Sequence, residues 1–213
     1  MIALYGERAL VLMMAAVSVS MVVGAVNLAL SGGRAGPPYA RGPLALLAPC
    51  EALVLALEVV AVYYVYRAGY EGWAKASVAL LTAWLALNLL VFVPLAVRGM
   101  YEGSPDLVRW GLLVKVAGAL LNYLVPVIAV YGFPGVPRSL LWAAFATVSA
   151  SHLALDVPPV WAVRLERRGA VHVPVLDIDL STGHRTSLLI ANYIGSLLYL
   201  TSYAVALIRA RGI

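Results

Sequence analysis

Apolar residues run along this chain in six long blocks separated by short polar, Gly- and Pro-containing breaks. The blocks are Ala9–Leu30, Leu44–Tyr66, Ala76–Val97, Trp110–Tyr131, Ser139–Val160 and Thr186–Ile208. Crossing the hydrocarbon core of a bilayer takes about 20 predominantly apolar residues in helical form, and each block is long enough. The pattern predicts an all-α polytopic integral membrane protein, six transmembrane helices in a single bundle, with residues 1–213 forming one transmembrane domain. Tyr63, Tyr64, Tyr66, Trp110, Tyr131 and Trp161 collect near block ends, as aromatic residues do at membrane interfaces. The first block is too long for a signal-peptide core and no A-x-A site follows it, so it is expected to be a retained span.

Six crossings place the N-terminus, the 67–75 and 132–138 connections and the C-terminus on one side, A. The 31–43, 98–109 and 161–185 connections lie on the other, B. Side A carries Arg8, Arg67, Lys75, Arg138, Arg209 and Arg211. Side B carries Arg34, Arg41, Arg98, Arg109, Arg164, Arg167, Arg168 and Arg185, so the positive-inside rule leans towards a cytoplasmic B side. The Gly/Pro-rich connector at 31–43 matches neither GxxxxGK[ST] nor GxGxxG. In the long 161–185 connection, Val171–Leu180 partly alternates apolar and polar residues, which predicts a short strand or hairpin at the surface.

Composition narrows the class. Of 213 residues, 63% are apolar and 12% charged, with a mean hydropathy of +0.92. Soluble domains are about 45–50% apolar and about 25% charged, and disorder requires low hydrophobicity, so both are excluded. The single cysteine, Cys50, excludes an intrachain disulfide, a CxxC pair and a cysteine zinc site. The net charge of +5 sits almost wholly in Arg residues flanking the blocks, which points to a lipid bilayer and away from nucleic acid. Arginine supplies most of the basic residues and glutamine is absent, which fits a heat-adapted, prokaryotic source, as a GC-rich genome also would.

The informative residues are the ionisable and amide groups inside the blocks, because a charge at the bilayer centre costs on the order of 3 kcal/mol. Glu51 and Glu58 lie seven apart in the second block, and Lys115 and Asn122 repeat that spacing in the fourth. Both blocks run in the same direction, and the depths agree. The spacing therefore predicts a ladder of Glu51 with Lys115 and Glu58 with Asn122. His152 and Asp156 share one face of the fifth helix, and Asn192 lies at a similar level in the sixth. Asn88 joins Glu58 and Asn122 in a layer beneath, and Asn27 ends the first block on side B. His172, Asp177, Asp179, His184 and Arg185 hang over the same side. These residues predict a polar, water-accessible cavity opening to B. The plain alternatives are that the charges lock helices together, that Lys115 snorkels to the interface, that the asparagines are interhelical glue, and that Ala143, Thr147 and Ser151 form a stripe of close approach. Pro49, Pro94 and Pro126 are expected to kink their helices.

Three functions fit this layer. Ion- or proton-coupled transport of a small solute comes first, with Glu58 as the proton-carrying carboxylate because no fixed charge lies at its depth. Second is a structural or accessory subunit of a larger membrane complex, with membrane-protein partners or further copies of the chain. Third is a metal-dependent enzyme at side B using His152 and Asp156. HExxH, GxSxG and GxGD signatures are all missing, and no cofactor is specified. His152-x-x-x-Asp156 is similar to half of the zinc site of cation diffusion facilitators, but the DxxxD which that family carries on its second span has no counterpart here. A multi-pass protein of the cell membrane with a transport function is the expectation.

Overall fold

Helix-favouring apolar runs with few internal breakers become six rods in the structure, a computed structural model that describes residues 2–30, 43–165, 171–172 and 183–212. The rods are α1 (Ile2–Leu30), α2 (Pro43–Arg67), a composite of α3 (Glu71–Ala86), a π-helical segment (Leu87–Phe92) and α4 (Val93–Glu102), then α5 (Pro105–Val130), α6 (Arg138–Trp161) and α7 (Gly183–Ala210). The result is an almost entirely helical bundle. Among the described residues, five stretches are long and apolar enough to cross a membrane: Leu4–Val23, Glu71–Glu102, Pro105–Val130, Arg138–Pro158 and Ser187–Ala210. Their outward faces carry Val11, Val22, Val78, Leu90, Val97, Ile190 and Leu197 exposed, as a lipid-facing surface would.

The break expected at 98–109 is much shorter than that range. Arg98 pairs with Glu102 at 2.7 Å and keeps the helix going to Glu102. Gly103 then takes the left-handed conformation (φ 65°), Ser104 is extended, and Pro105 starts α5. Pro94 accounts for the π segment. It has no N–H to give the turn before it, and the helix widens so that the Val93 N–H reaches the Asn88 carbonyl five residues back.

Contacts at the helix ends show which connections lie together at each end of the bundle. At A, Arg67 Nη1 donates to the Tyr63 hydroxyl at 2.9 Å and Arg67 Nη2 to that of Tyr5 at 3.4 Å. Arg211 meets Glu7 at 3.3 Å, and Arg209 donates to the Gly135 carbonyl. At B, Arg109 donates to the Val163 carbonyl at 2.6 Å. Of the ribbon expected over Val171–Leu180 only Val171 and His172 are described, and they pair antiparallel with an earlier segment, Arg164 with His172 and Leu165 with Val171. Residues 173–182 lie outside the described residues.

The core runs through the middle of the bundle from Ala9, Leu10 and Met13 of α1 and Ala61, Val62 and Val65 of α2 to Val125, Val127 and Val130 of α5 and Leu141, Ala144 and Val148 of α6. Tyr199, Tyr203 and Ala206 of α7 complete it. The α6–α7 approach is especially close. A Cβ on Gly195 would sit 2.6 Å from Val148 Cγ2 and 3.2 Å from the Ala144 carbonyl oxygen. The close contact therefore lies along Ala144 and Val148, one position on from Ala143 and Thr147 of the expected Ala143, Thr147 and Ser151 stripe, of which only Ser151 is buried. Ala143 itself is exposed, and Thr147 donates to the Ala143 carbonyl of its own helix.

Candidate functional site

The glycine contact between α6 and α7 positions the principal polar cluster. One turn towards B from Val148 stands His152, and about one turn towards B from Gly195 stands Asn192. With the helices in van der Waals contact, Asn192 Nδ2 lies 3.3 Å from His152 Nε2. From α5, the Tyr123 hydroxyl lies 2.8 Å from the same nitrogen, with the two rings 4.7 Å apart. On the other side of the imidazole, Nδ1 faces Asp156 Oδ2 at 3.2 Å, as a four-residue spacing on α6 allows. Three helices thus converge on one histidine.

The chemistry of the partners fixes how protons are distributed. An ionised carboxylate only accepts, so the His152 nitrogen facing Asp156 carries the hydrogen. Nε2 of the neutral ring then offers its single lone pair. Tyr123, at the shorter distance, is its main donor, and Asn192 is the weaker one. A proton added at Nε2 would reverse the polarity of the Tyr123 contact, making the hydroxyl the acceptor. The row Asp156–His152–Tyr123 can therefore hold a proton or pass one along. In nitrogen-15 NMR of labelled protein, His152 is expected to resonate as the Nδ1–H tautomer. Asp156→Ala is expected to move it to the Nε2–H tautomer; an unchanged tautomer would show that Asp156 does not set the ring.

Below this cluster, α7 is fastened to α5 by two tyrosines one turn apart. Tyr199 donates to the Tyr123 carbonyl at 2.9 Å and Tyr203 to the Pro126 carbonyl at 3.1 Å. Glu58 enters the same core from α2. It is 4% exposed, and Tyr203 lies within its electrostatic range. Among the described residues its carboxylate has neither a hydrogen-bond donor nor an ion-pair partner.

The ladder expected between α2 and α5 does not form as drawn. Among the described residues no hydrogen bond joins Asn122 to Glu58, and Asn122 Oδ1 is buried without a donor. Lys115 is exposed, with its ammonium 5.7 Å from the centre of the Phe92 ring. Its long stem carries the charge across to the composite rod instead of into the bundle. The side chain of Glu51 lies outside the described residues, as do those of Asn27, His172, His184 and Arg185, and the whole of Asp177 and Asp179. Asn88 is separate from the cluster. Its Nδ2 donates to the Trp84 carbonyl at 2.8 Å, and it packs over Gly118, where a Cβ would lie 3.0 Å away.

His152 and Asp156 supply two metal-ligand types, but both imidazole nitrogens already have protein partners, and no group of three His, Cys, Asp or Glu gathers among the described residues. Tyr123, Tyr199 and Tyr203 were not among the residues singled out from sequence. Their signal was present: a tyrosine beside Asn122, and an i, i+4 tyrosine pair in the last helix, each carrying a hydroxyl that needs a partner when buried. No family model, curated protein or solved structure matches this chain.

Proposed function

We propose that this chain is a six-span protein of the cell membrane that couples movement of a small solute to a proton or cation. In this reading α2 is the sixth span. It is 25 residues long, about 37 Å at 1.5 Å per residue, and it exposes Leu53, Val59, Val60 and Tyr63 outward. Glu58 is the ion-carrying carboxylate, and Asp156, His152 and Tyr123 form a proton relay nearer side B.

The observation that carries the proposal is the burial of Glu58 with no donor or counter-charge supplied by the described residues. A carboxylate serving only to lock helices would be held by a hydrogen-bonded partner, because an uncompensated buried charge is strongly destabilising. One that must bind and release an ion has to be left available. In liposomes carrying the purified protein and an imposed proton gradient, the wild type is expected to collapse the gradient. Glu58→Gln is expected to fall to the rate of protein-free liposomes. Equal rates for wild type and variant, or no flux from the wild type, would overturn the proposal.

A further inference from the structure

Among the described residues, side A holds two guanidinium groups that pair with no carboxylate. Arg138 opens α6, and Arg209 lies in the last turn of α7. Both line one open cleft of about 760 Å³, together with Tyr70, Ser139 and the 132–136 connection. Its lining includes no aspartate or glutamate. The acidic groups described at this end are engaged elsewhere, Glu7 with Arg211 at 3.3 Å and Glu71 with Lys75 at 3.5 Å.

Each guanidinium is positioned with donors to spare. Gly135 has a φ of 79° and no Cβ, and the Arg209 stem lies against it: an added Cβ would sit 3.1 Å from Arg209 Cβ and 3.3 Å from Cδ. From there Arg209 Nη1 donates to the Gly135 carbonyl at 3.1 Å, which leaves most of the guanidinium N–H groups unused. The Arg138 guanidinium lies over the Tyr131 ring, 4.9 Å from its centre, and contact with a ring face draws on the charge and not on the N–H donors. The Ser139 hydroxyl makes no hydrogen bond among the described residues. Beneath these groups the floor is apolar. Phe133 and Val136 belong to the core, and Tyr70 packs on Phe133 with the rings 4.6 Å apart.

We infer that this cleft binds a phosphate group, with Arg138 and Arg209 pairing its oxygens and Ser139 donating a further hydrogen bond. Guanidinium forks match phosphate oxygens through paired, charge-assisted hydrogen bonds. A tetrahedral oxyanion can also meet donors from α6 and α7 at once, which a flat carboxylate does less well. The cleft is far larger than a bare phosphate, and its apolar floor suits an organic group esterified to the anion. Tyr131, which carries Arg138, belongs to the aromatic residues at the block ends, the level at which lipid headgroups lie. The phosphate can come from an anionic lipid or from a soluble compound, and the chemistry of the cleft is the same for both. The site does not depend on Glu58 or on the His152 cluster.

The test uses the full chain in dodecyl maltoside and reads thermal melting, with stoichiometry from calorimetry for the ion and native mass spectrometry for the lipid. One arm titrates sodium phosphate against sodium chloride of equal ionic strength. The other adds phosphatidylglycerol against diacylglycerol, which has the tails without the phosphate. At least one phosphate-bearing probe is expected to raise the melting temperature saturably, at one per chain. Stabilisation by phosphatidylglycerol alone would identify a lipid headgroup as the ligand, and stabilisation by inorganic phosphate a site that needs no acyl chains. Arg138→Gln and Arg209→Gln are each expected to weaken binding by about tenfold or more, and the double variant to abolish it. Ser139→Asp keeps both arginines and puts an acid where a helix N-terminus favours one, so the fold is retained while binding is lost. It carries the test if an arginine variant fails to fold. Lys75→Ala removes the same charge from side A outside the cleft and is expected to bind like the wild type. No stabilisation by either probe, binding unaltered in Arg138→Gln or Ser139→Asp, or an equal loss in Lys75→Ala would overturn the inference.

Discussion

Replacing Gly195 with leucine is expected to lower the stability of the folded bundle by about 3 kcal/mol or more, the upper end of what overpacking a close contact costs. A single added carbon at that position already meets Val148 Cγ2 at 2.6 Å, the Val148 nitrogen at 3.0 Å and the Ala144 carbonyl at 3.2 Å. Two of those three atoms are backbone, so they cannot rotate away, and the helices must separate. Separation also withdraws Asn192 from His152, because the two side chains flank the same contact. Thermal melting in detergent reads the first effect, and a change in the His152 NMR signal reads the second. Gly72, where nothing lies within 4 Å of an added Cβ, provides the control, and Gly72→Ala is expected to melt like the wild type. Wild-type melting of Gly195→Leu would mean that α6 and α7 are not in the contact described.

The second large effect has the opposite sign. Glu58→Leu is expected to raise stability by about 1–2 kcal/mol while abolishing ion coupling. The carboxyl is buried with no donor among the described residues, and leaving a buried polar group unsatisfied costs about 1–3 kcal/mol. Leucine is close in volume and sits well among Ala61, Val62 and Val65, the next inward-facing residues of α2. Melting in choline chloride, with no alkali ion present, isolates this term. If Glu58→Leu melted several degrees below the wild type, the carboxylate would be a structural lock, and its use as an ion carrier would fail. A gain in stability with loss of activity is the pattern expected of a site kept for function against its folding cost.

Much of the architecture was legible because the rule behind it is severe. Backbone polar groups in hydrocarbon have to be satisfied within the segment, so long apolar runs become helices, and the six blocks correspond to the six rods. The His152, Asp156 and Asn192 grouping was legible for a related reason, since helical spacing and depth follow from residue number. Azimuth was not. Spacing of seven puts Lys115 and Asn122 on roughly one stripe, yet the first is exposed over Phe92 and the second keeps its side-chain oxygen buried. Which way a stripe faces depends on the neighbours it packs against, and α2 packs chiefly against α1, with only a narrow contact to α5. Tyr123 was missed because a tyrosine in an apolar run reads as hydrophobic until its hydroxyl is followed to the imidazole nitrogen of another helix. The short turn at Gly103 and Ser104 was hidden by the charges around it, which serve in salt bridges within the helices.

The widened turn at Leu87–Phe92 inserts one additional residue into an otherwise regular rod, and so resets the phase of everything after it by about 100°, the rotation of one helical residue. Gly99 lies beyond that reset, and it is turned squarely onto α5, where an added Cβ would meet Val108 Cγ2 at 2.8 Å. Without the phase change the glycine would be swung a quarter-turn or more from its seat, and a bulkier face would be presented to Val108. Pro94, which looks at first like a defect in the span, thereby acts as the compass that aims its last three turns.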